Sequence, residues 1–246
     1  MTTSRSSPPT VQRLGRARAL LIGVGGLGSP AALALARAGI GELGLVDPDV
    51  VEVSNLHRQP LYGDADLGRA KVDVAAERLR TIAPALRIIT WRERFPDGAA
   101  VRTLPHFDVV VDGTDTIAAK FAVNDAAVVA RVPLVHAGVL GFRGQIMTVL
   151  PATTACYRCV FEDAPPPGEV PSCEEAGILG PTAALVGALA AAEAVRIVTG
   201  TGSSYADRLL VIDAFDGRHR SVSIGRRPHC RTCGGAPRRA LGSMAS

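Results

Sequence analysis

The chain has 246 residues, 47% hydrophobic, 20% charged and 4% aromatic, with a formal net charge of +4. That is enough for one large α/β domain or two small ones around a core of Ala, Val, Leu and Ile, and it excludes disorder, collagen-like repeats and disulfide-dense scaffolds. The charge is uneven: residues 1–41 carry five Arg and 217–246 seven, neither with an acid, so 42–216 hold 15 basic against 23 acidic groups.

In chain order, residues 1–13 read as a flexible basic segment. Its first ten residues lack the apolar stretch of a secretory signal. Ala19–Val24 is a continuous apolar run, as in a strand buried on both faces. It breaks into glycines, a helix follows from Ser29 to about Ala38, and Gly39 stops it. Leu43–Val46 is a second strand, 48–65 is irregular, and an amphipathic helix runs from about Leu67 to Ile82, closed by Pro84. Leu86–Trp91 and Phe107–Val111 are further strands, then a helix from about Ile117 to Arg131 and a fifth strand at Leu134–His136. Such alternation predicts a Rossmann-like, doubly wound, mainly parallel α/β sheet.

Past Gly138 the texture changes. Gln145–Leu150 reads as an antiparallel strand, 164–171 as a Pro-rich loop, Pro181–Thr199 as a long Ala-rich helix, and Leu209–Ile212 with His219–Ile224 as a hairpin. The apolar uncharged stretch 178–192 is shorter than the ~20 residues that span a bilayer. The expectation is a cytoplasmic protein with no membrane partner. The basic ends suit nucleic acid, an acidic protein or plain solvation, and no nucleic acid is expected.

Gly23-Val-Gly25-Gly26-Leu-Gly28 lies between a strand and a helix, where glycines let a phosphate or ribose approach the backbone. Asp47 ends the second strand, where a carboxylate binds ribose hydroxyls. NAD is the usual ligand of that fingerprint, and a tight structural turn is the bland reading. The segment from Asp47 and Asp49 through Asn55, Arg58 and Gln59 to Lys71 argues for more. Extra cations there suit a triphosphate, because attack at its α-phosphorus needs the charge on the leaving pyrophosphate held. Only Lys71 and Lys120 among 27 basic residues are lysine, which marks places for a compact ammonium; a solvated helix charge is the alternative for Lys71.

Gly-x-Gly-Gly-x-Gly, then Asp-x-Asp-x-Val-x-x-Ser-Asn-x-x-Arg-Gln, then Leu-Gly-x-x-Lys, resembles the ThiF/MoeB/HesA group of ubiquitin-activating-like adenylyltransferases, over about 14–235. The resemblance implies an enzyme that uses ATP and Mg²⁺ to adenylate the C-terminal glycine of a small ubiquitin-like sulfur carrier protein ending in Gly-Gly. It implies that Asp47 holds ribose, that Asn55, Arg58, Gln59 and Lys71 hold the triphosphate, and that Arg58 and Lys71 stabilise the transition state. Asp115, after the fourth strand, would coordinate Mg²⁺, while Asp112 caps or braces the loop. Relatives usually carry Asn where Thr116 stands and Arg where Lys120 stands. They also often begin with an arginine-bearing helix reaching the partner subunit's ATP; Arg5, Arg13 and Arg16 are the conceivable substitutes here. The resemblance further implies a homodimer and, with no rhodanese-like domain expected, a separate sulfur donor protein.

Cys156-x-x-Cys159 and Cys230-x-x-Cys233 offer four soft thiolates in two knuckles, which suits a tetrahedral structural Zn²⁺ over a redox pair or idle thiols. Cys173 precedes Ala-Gly-Ile-Leu-Gly-Pro. In similar proteins a Cys there links covalently to the carrier, and a dispensable thiol is the equal alternative. The expected organisation is an adenylation domain over 14–236, with an ATP-binding half at about 14–140, a carrier-binding and zinc half at about 141–236, and a tail at 237–246. Three other readings stand beside it: the same chemistry on a peptide or a dedicated biosynthetic carrier, a NAD-dependent oxidoreductase, and a non-catalytic partner in which the fold only docks carriers.

Overall fold

The computed structural model describes residues 8–166, 169 and 177–235. Its strands are β1 (Arg18–Ile22), β2 (Glu42–Val46), β3 (Arg87–Trp91), β4 (Val109–Asp112), β5 (Leu134–Leu140), β6 (Arg143–Val149), β7 (Arg208–Asp213) and β8 (Arg218–Ser223). They form one sheet in the order β3-β2-β1-β4-β5-β6-β7-β8. The first five strands run parallel, and β6 to β8 extend the sheet antiparallel. The change of sense has a local cause. Only residues 141–142 separate β5 from β6, and so short a link permits only an antiparallel return.

The helices are α1 (Pro8–Leu14), α2 (Gly28–Ala38), α3 (Lys71–Ile82), α4 (Ala100–Thr103), α5 (Ile117–Ala130), α6 (Tyr157–Phe161) and α7 (Gly180–Val198). Alternate residues of β1 feed two cores. Ala19 and Leu21 join the layer containing α2, α3 and α7, while Leu20 and Ile22 join α5 and the cysteine-bearing segment. This is why the β1 run is apolar without a break.

Several boundaries differ from the sequence expectation. Residues 8–13 of the segment expected to be flexible form α1 together with Leu14, and Arg13 Nη1 donates to Thr199 O at 3.2 Å. That contact is at the C-terminal end of α7. The helix expected from about residue 67 begins at Lys71, because 68–70 is tied back by Gly68 N to Val51 O and Val51 N to Arg69 O, both 2.9 Å. β5 continues past His136, since seven of its residues find partners on β6. By length and composition α7 could cross a membrane, but half of it is buried within the fold. Val186, Ala190, Ala191 and Ala194 are core, and the buried Glu193 carboxylate accepts from Thr148 Oγ1 at 2.7 Å and Ser204 N at 2.9 Å. It is a core helix.

Candidate active site at the carboxyl edge of the sheet

The chain builds outward from β1 to β3 and then crosses back to β4 on the other side of β1. Strand order therefore reverses between β1 and β4, the place where open α/β sheets bind ligands at their carboxyl ends. The loops after β1 and β4 meet there. Gly113 N donates to Ile22 O at 2.8 Å, and a Cβ on Gly23 (φ 85°) would stand 2.7 Å from Gly113 O. A Cβ on Gly28 would stand 1.9 Å from Gly23 O, so no other residue fits at either position. The turn delivers the chain into α2, whose first amides carry partial positive charge toward the crevice.

Asp47 secures that turn from β2. One carboxylate oxygen accepts from Val24 N at 2.7 Å and the other from Asp49 N at 2.9 Å. Burial raises the Asp47 carboxyl pKa, opposed by the Lys71 ammonium and the two backbone amides. Tyr62 Oη, donating to Val24 O at 2.8 Å, holds the same turn from the other side.

Lys71 is only 6% exposed, and its Nζ lies 3.1 Å from Asp49 Oδ2. A solvated helix charge is thereby excluded; this ammonium is held beside the nucleotide-type turn. Arg58 runs alongside the glycines, its Cδ 3.4 Å from where a Gly26 Cβ would be, while Nη1 donates to Ser54 O at 2.7 Å. Gln59 Nε2 lies 3.6 Å from the same point on Gly25. The bare backbone at Gly25 and Gly26 thus leaves a cradle that side chains would fill. Asn55 and Gln59 are buried, and their amide oxygens have no hydrogen-bond partner. Since an amide can turn over, each can present a donor to a phosphate instead. Gly180, the first residue of α7, packs against His57 O and Arg58 Cα.

At the end of β4, Asp112 is wholly buried and Asp115, three residues on, is exposed. Oδ1 of Asp112 accepts from Thr114 N at 2.9 Å and Thr114 Oγ1 at 2.6 Å; Oδ2 faces His136 Nδ1 at 2.8 Å and Lys120 Nζ at 3.5 Å. Burial would raise this carboxyl, but the Lys120 ammonium and the hydrogen bonds outweigh it, and the net shift is downward. Burial lowers the His136 pKa, leaving the ring neutral. Lys120 also donates to Thr114 O at 2.7 Å and Ala137 O at 2.6 Å. It braces the loop and is not a group for ligand.

The four cysteines converge far along the chain from this site. Their sulfurs all lie within 4.8 Å of one another, with Cys156–Cys159 at 3.9 Å, Cys156–Cys230 at 3.6 Å and Cys159–Cys233 at 3.4 Å. A tetrahedral zinc with bonds of about 2.3 Å sets its sulfurs roughly 3.8 Å apart, so the group fits that ion. Burial pushes the thiols of Cys156 and Cys159 up, whereas local hydrogen bonds outweigh burial at Cys230 and bring it to about 7. Arg158 clamps Asp125 of α5 at 2.7 Å, and Thr232 Oγ1 reaches the same carboxylate at 2.9 Å.

The profile of the ThiF family matches residues 2–232. The chain belongs to the ThiF family. A sulfur carrier protein adenylyltransferase of Thermus thermophilus is 42% identical over 94% of this chain and 87% of its own length. The adenylyltransferase and sulfurtransferase MOCS3 of Sus scrofa is 44% identical over 92% of this chain, which spans 50% of that relative. A crystal structure of E. coli MccB with ATP shares the fold, with a TM-score of 0.79 at 24% identity over 92% of this chain and 69% of that one.

For this ThiF-family chain, the expected nucleotide residues Gly23, Gly25, Gly26, Gly28, Asp47, Asp49, Asn55, Arg58, Gln59 and Lys71 do assemble around the ends of β1 and β2. Asp115 stands on the adjoining loop. Cys173 lies outside the described residues. Tyr62 and His136 hold this site without a local sequence signal. The loop from Asp112 to Asp115 follows from the sequence, but the contact of Gly113 with Gly23 exists only once β1 and β4 are neighbours.

Proposed function

We propose that this chain is an ATP-dependent adenylyltransferase acting on the C-terminal glycine carboxylate of a small ubiquitin-like sulfur carrier protein. The observation that carries the reading is the buried Lys71 ammonium with Arg58, Asn55 and Gln59 around a glycine turn. A nicotinamide dinucleotide has little need of so many cationic and amide donors, whereas a triphosphate whose pyrophosphate must leave has a clear one.

A carboxylate oxygen of the carrier attacks the α-phosphorus, forming the acyl–phosphate bond. The bond from that phosphorus to the bridging oxygen breaks, and its electron pair leaves with pyrophosphate. Negative charge grows on the leaving group, where Arg58 and Lys71 offset it. Asp47, already fixed by two backbone amides, offers its remaining lone pairs to the ribose hydroxyls. Asp115 would hold Mg²⁺ as a hard oxygen ligand, and the ion would supply charge neutralisation. The four cysteines hold a structural Zn²⁺. A nucleophilic sulfur of a separate donor protein then attacks the acyl carbon of the adenylate and AMP departs with the electron pair of the broken C–O bond, and a homodimer in the cytoplasm completes the reading.

ATP–pyrophosphate exchange tests this directly. Label should exchange only with carrier present, and Lys71→Ala and Arg58→Ala should each lower it by about 100-fold or more. NADH binding tightly while Lys71→Ala retained full activity would reverse the assignment. A second reading keeps the chemistry but changes the acceptor to a peptide; the shared fold with MccB, solved with N-formylated MccA, favours including peptides in the same assay.

A further inference from the structure

We infer that His136 is a positioning residue for the Asp115 loop, holding it through the buried Asp112 carboxylate. The inference rests on the reading of Asp115 as the Mg²⁺ ligand. His136 sits on β5 directly opposite Asp112 on β4 in the parallel register, and both side chains are fully buried. Asp112 closes its own turn with one oxygen, through the amide and hydroxyl of Thr114. Asp115 is the next residue along, at the sheet's carboxyl edge.

What orients the carboxylate is therefore what orients the loop. The second oxygen has two neighbours. Lys120 is 3.5 Å away and spends its shorter bonds, 2.7 and 2.6 Å, on the carbonyls of Thr114 and Ala137. His136 Nδ1 is at 2.8 Å. A carboxylate only accepts, so the proton sits on Nδ1. The other ring nitrogen, Nε2, is buried with no partner, which suits a neutral ring and leaves an imidazolium unfavourable, since its second N–H would lack an acceptor. The ring's face is filled by Tyr157, with centroids 4.3 Å apart, so the imidazole cannot swing away. His136 thus works as a fixed, neutral, single donor that sets the plane of Asp112.

Outer-sphere partners of metal-binding groups typically change affinity by about tenfold or more when lost. The test measures the Mg²⁺ dependence of binding of a non-hydrolysable ATP analogue by calorimetry, and KM against kcat in the exchange assay. Asn replaces the Nδ1 donor in nearly the same place, whereas Gln puts its amide at the Nε2 position and Leu has none. His136→Gln and His136→Leu should raise the Mg²⁺ needed for half-maximal binding by about tenfold. kcat at saturating Mg²⁺ and KM for the carrier should change little, and His136→Asn should restore the wild-type requirement. Nitrogen-15 NMR of the wild-type protein should show a neutral, Nδ1-protonated ring at pH 7 and above, a measurement that stands even if a variant does not fold. Equal effects of Asn, Gln and Leu, an unchanged Mg²⁺ requirement, or an Nε2-protonated ring would overturn the inference. Asp115→Ala is the separate control: if it leaves Mg²⁺ dependence unchanged, the underlying metal reading is wrong and not merely the role of His136.

Discussion

Single atoms decide much at this site. The Gly28 position tolerates no Cβ, because that carbon would sit 1.9 Å from Gly23 O, and the clash is with backbone that Gly113 and Val46 already pin. Gly28→Ala should therefore cost at least about 3 kcal/mol of stability, read as a shift in urea midpoint, and nucleotide binding should be lost with it. Gly39→Ala is a useful contrast: nothing lies within 4 Å of its Cβ, and only its φ of 91° is unfavourable, so it should cost about 1 kcal/mol and spare nucleotide binding. The glycines and the Arg-Gln block were legible because a turn's chemistry is local. Lys71 was legible through the scarcity of lysine. His136 was not. Its meaning depends on a strand-to-strand register between residues 24 apart, and an isolated histidine in an apolar strand carries no local signal of that.

At the level of elements, most strands and helices follow from period and punctuation alone, because each parallel strand is a short apolar run between glycine or proline breaks. The late start of α3 and the turn of helix at α6 are set by partners distant in sequence, whereas the extension of β5 comes from β6 across a two-residue link. The β5–β6 link and the residues after β7 lie at the same carboxyl edge as the nucleotide groups, as the pairing of Leu140 with Arg143 and of Arg143 with Asp213 requires. There Phe142 and Phe215 pack edge to face at 5.4 Å while 46% and 76% exposed. An exposed aromatic pair at the same edge as the proposed phosphate groups suits docking of the proposed carrier. Phe215→Asp should raise KM for the carrier by about tenfold or more, with KM for ATP within twofold of wild type. A rise in both, or in neither, would remove the docking role from this edge.

Across the whole molecule, the uneven charge finds its partners through the cysteine cluster. Cys159 and Cys230 are separated by 70 residues, yet their knuckles meet. The Arg-rich end is thereby brought onto acids of the middle: Arg227 pairs with Glu162 and Arg231 with Asp163, and Arg227 N donates to Cys159 Sγ at 3.4 Å. Four thiolates around one dication would leave a net negative centre, which Arg158 beside Cys156 and Arg227 beside Cys159 and Cys230 would offset. By analogy with a covalent cross-link, closing a loop of that length removes about 4 kcal/mol of unfolded-state entropy. Metal analysis should find about one Zn²⁺ per chain. Stripping it should lower Tm and raise hydrogen exchange first in α6 and residues 224–235, before β1 to β4 open. The parallel strands keep their own core of Leu21, Leu43, Leu45 and Val111, so an analogue of ATP should still bind the stripped protein, although more weakly. Four freely titrating thiols in the native protein, or an unchanged Tm after chelation, would show that no metal closes this loop and that the arginine–acid pairs alone hold the chain's end in place.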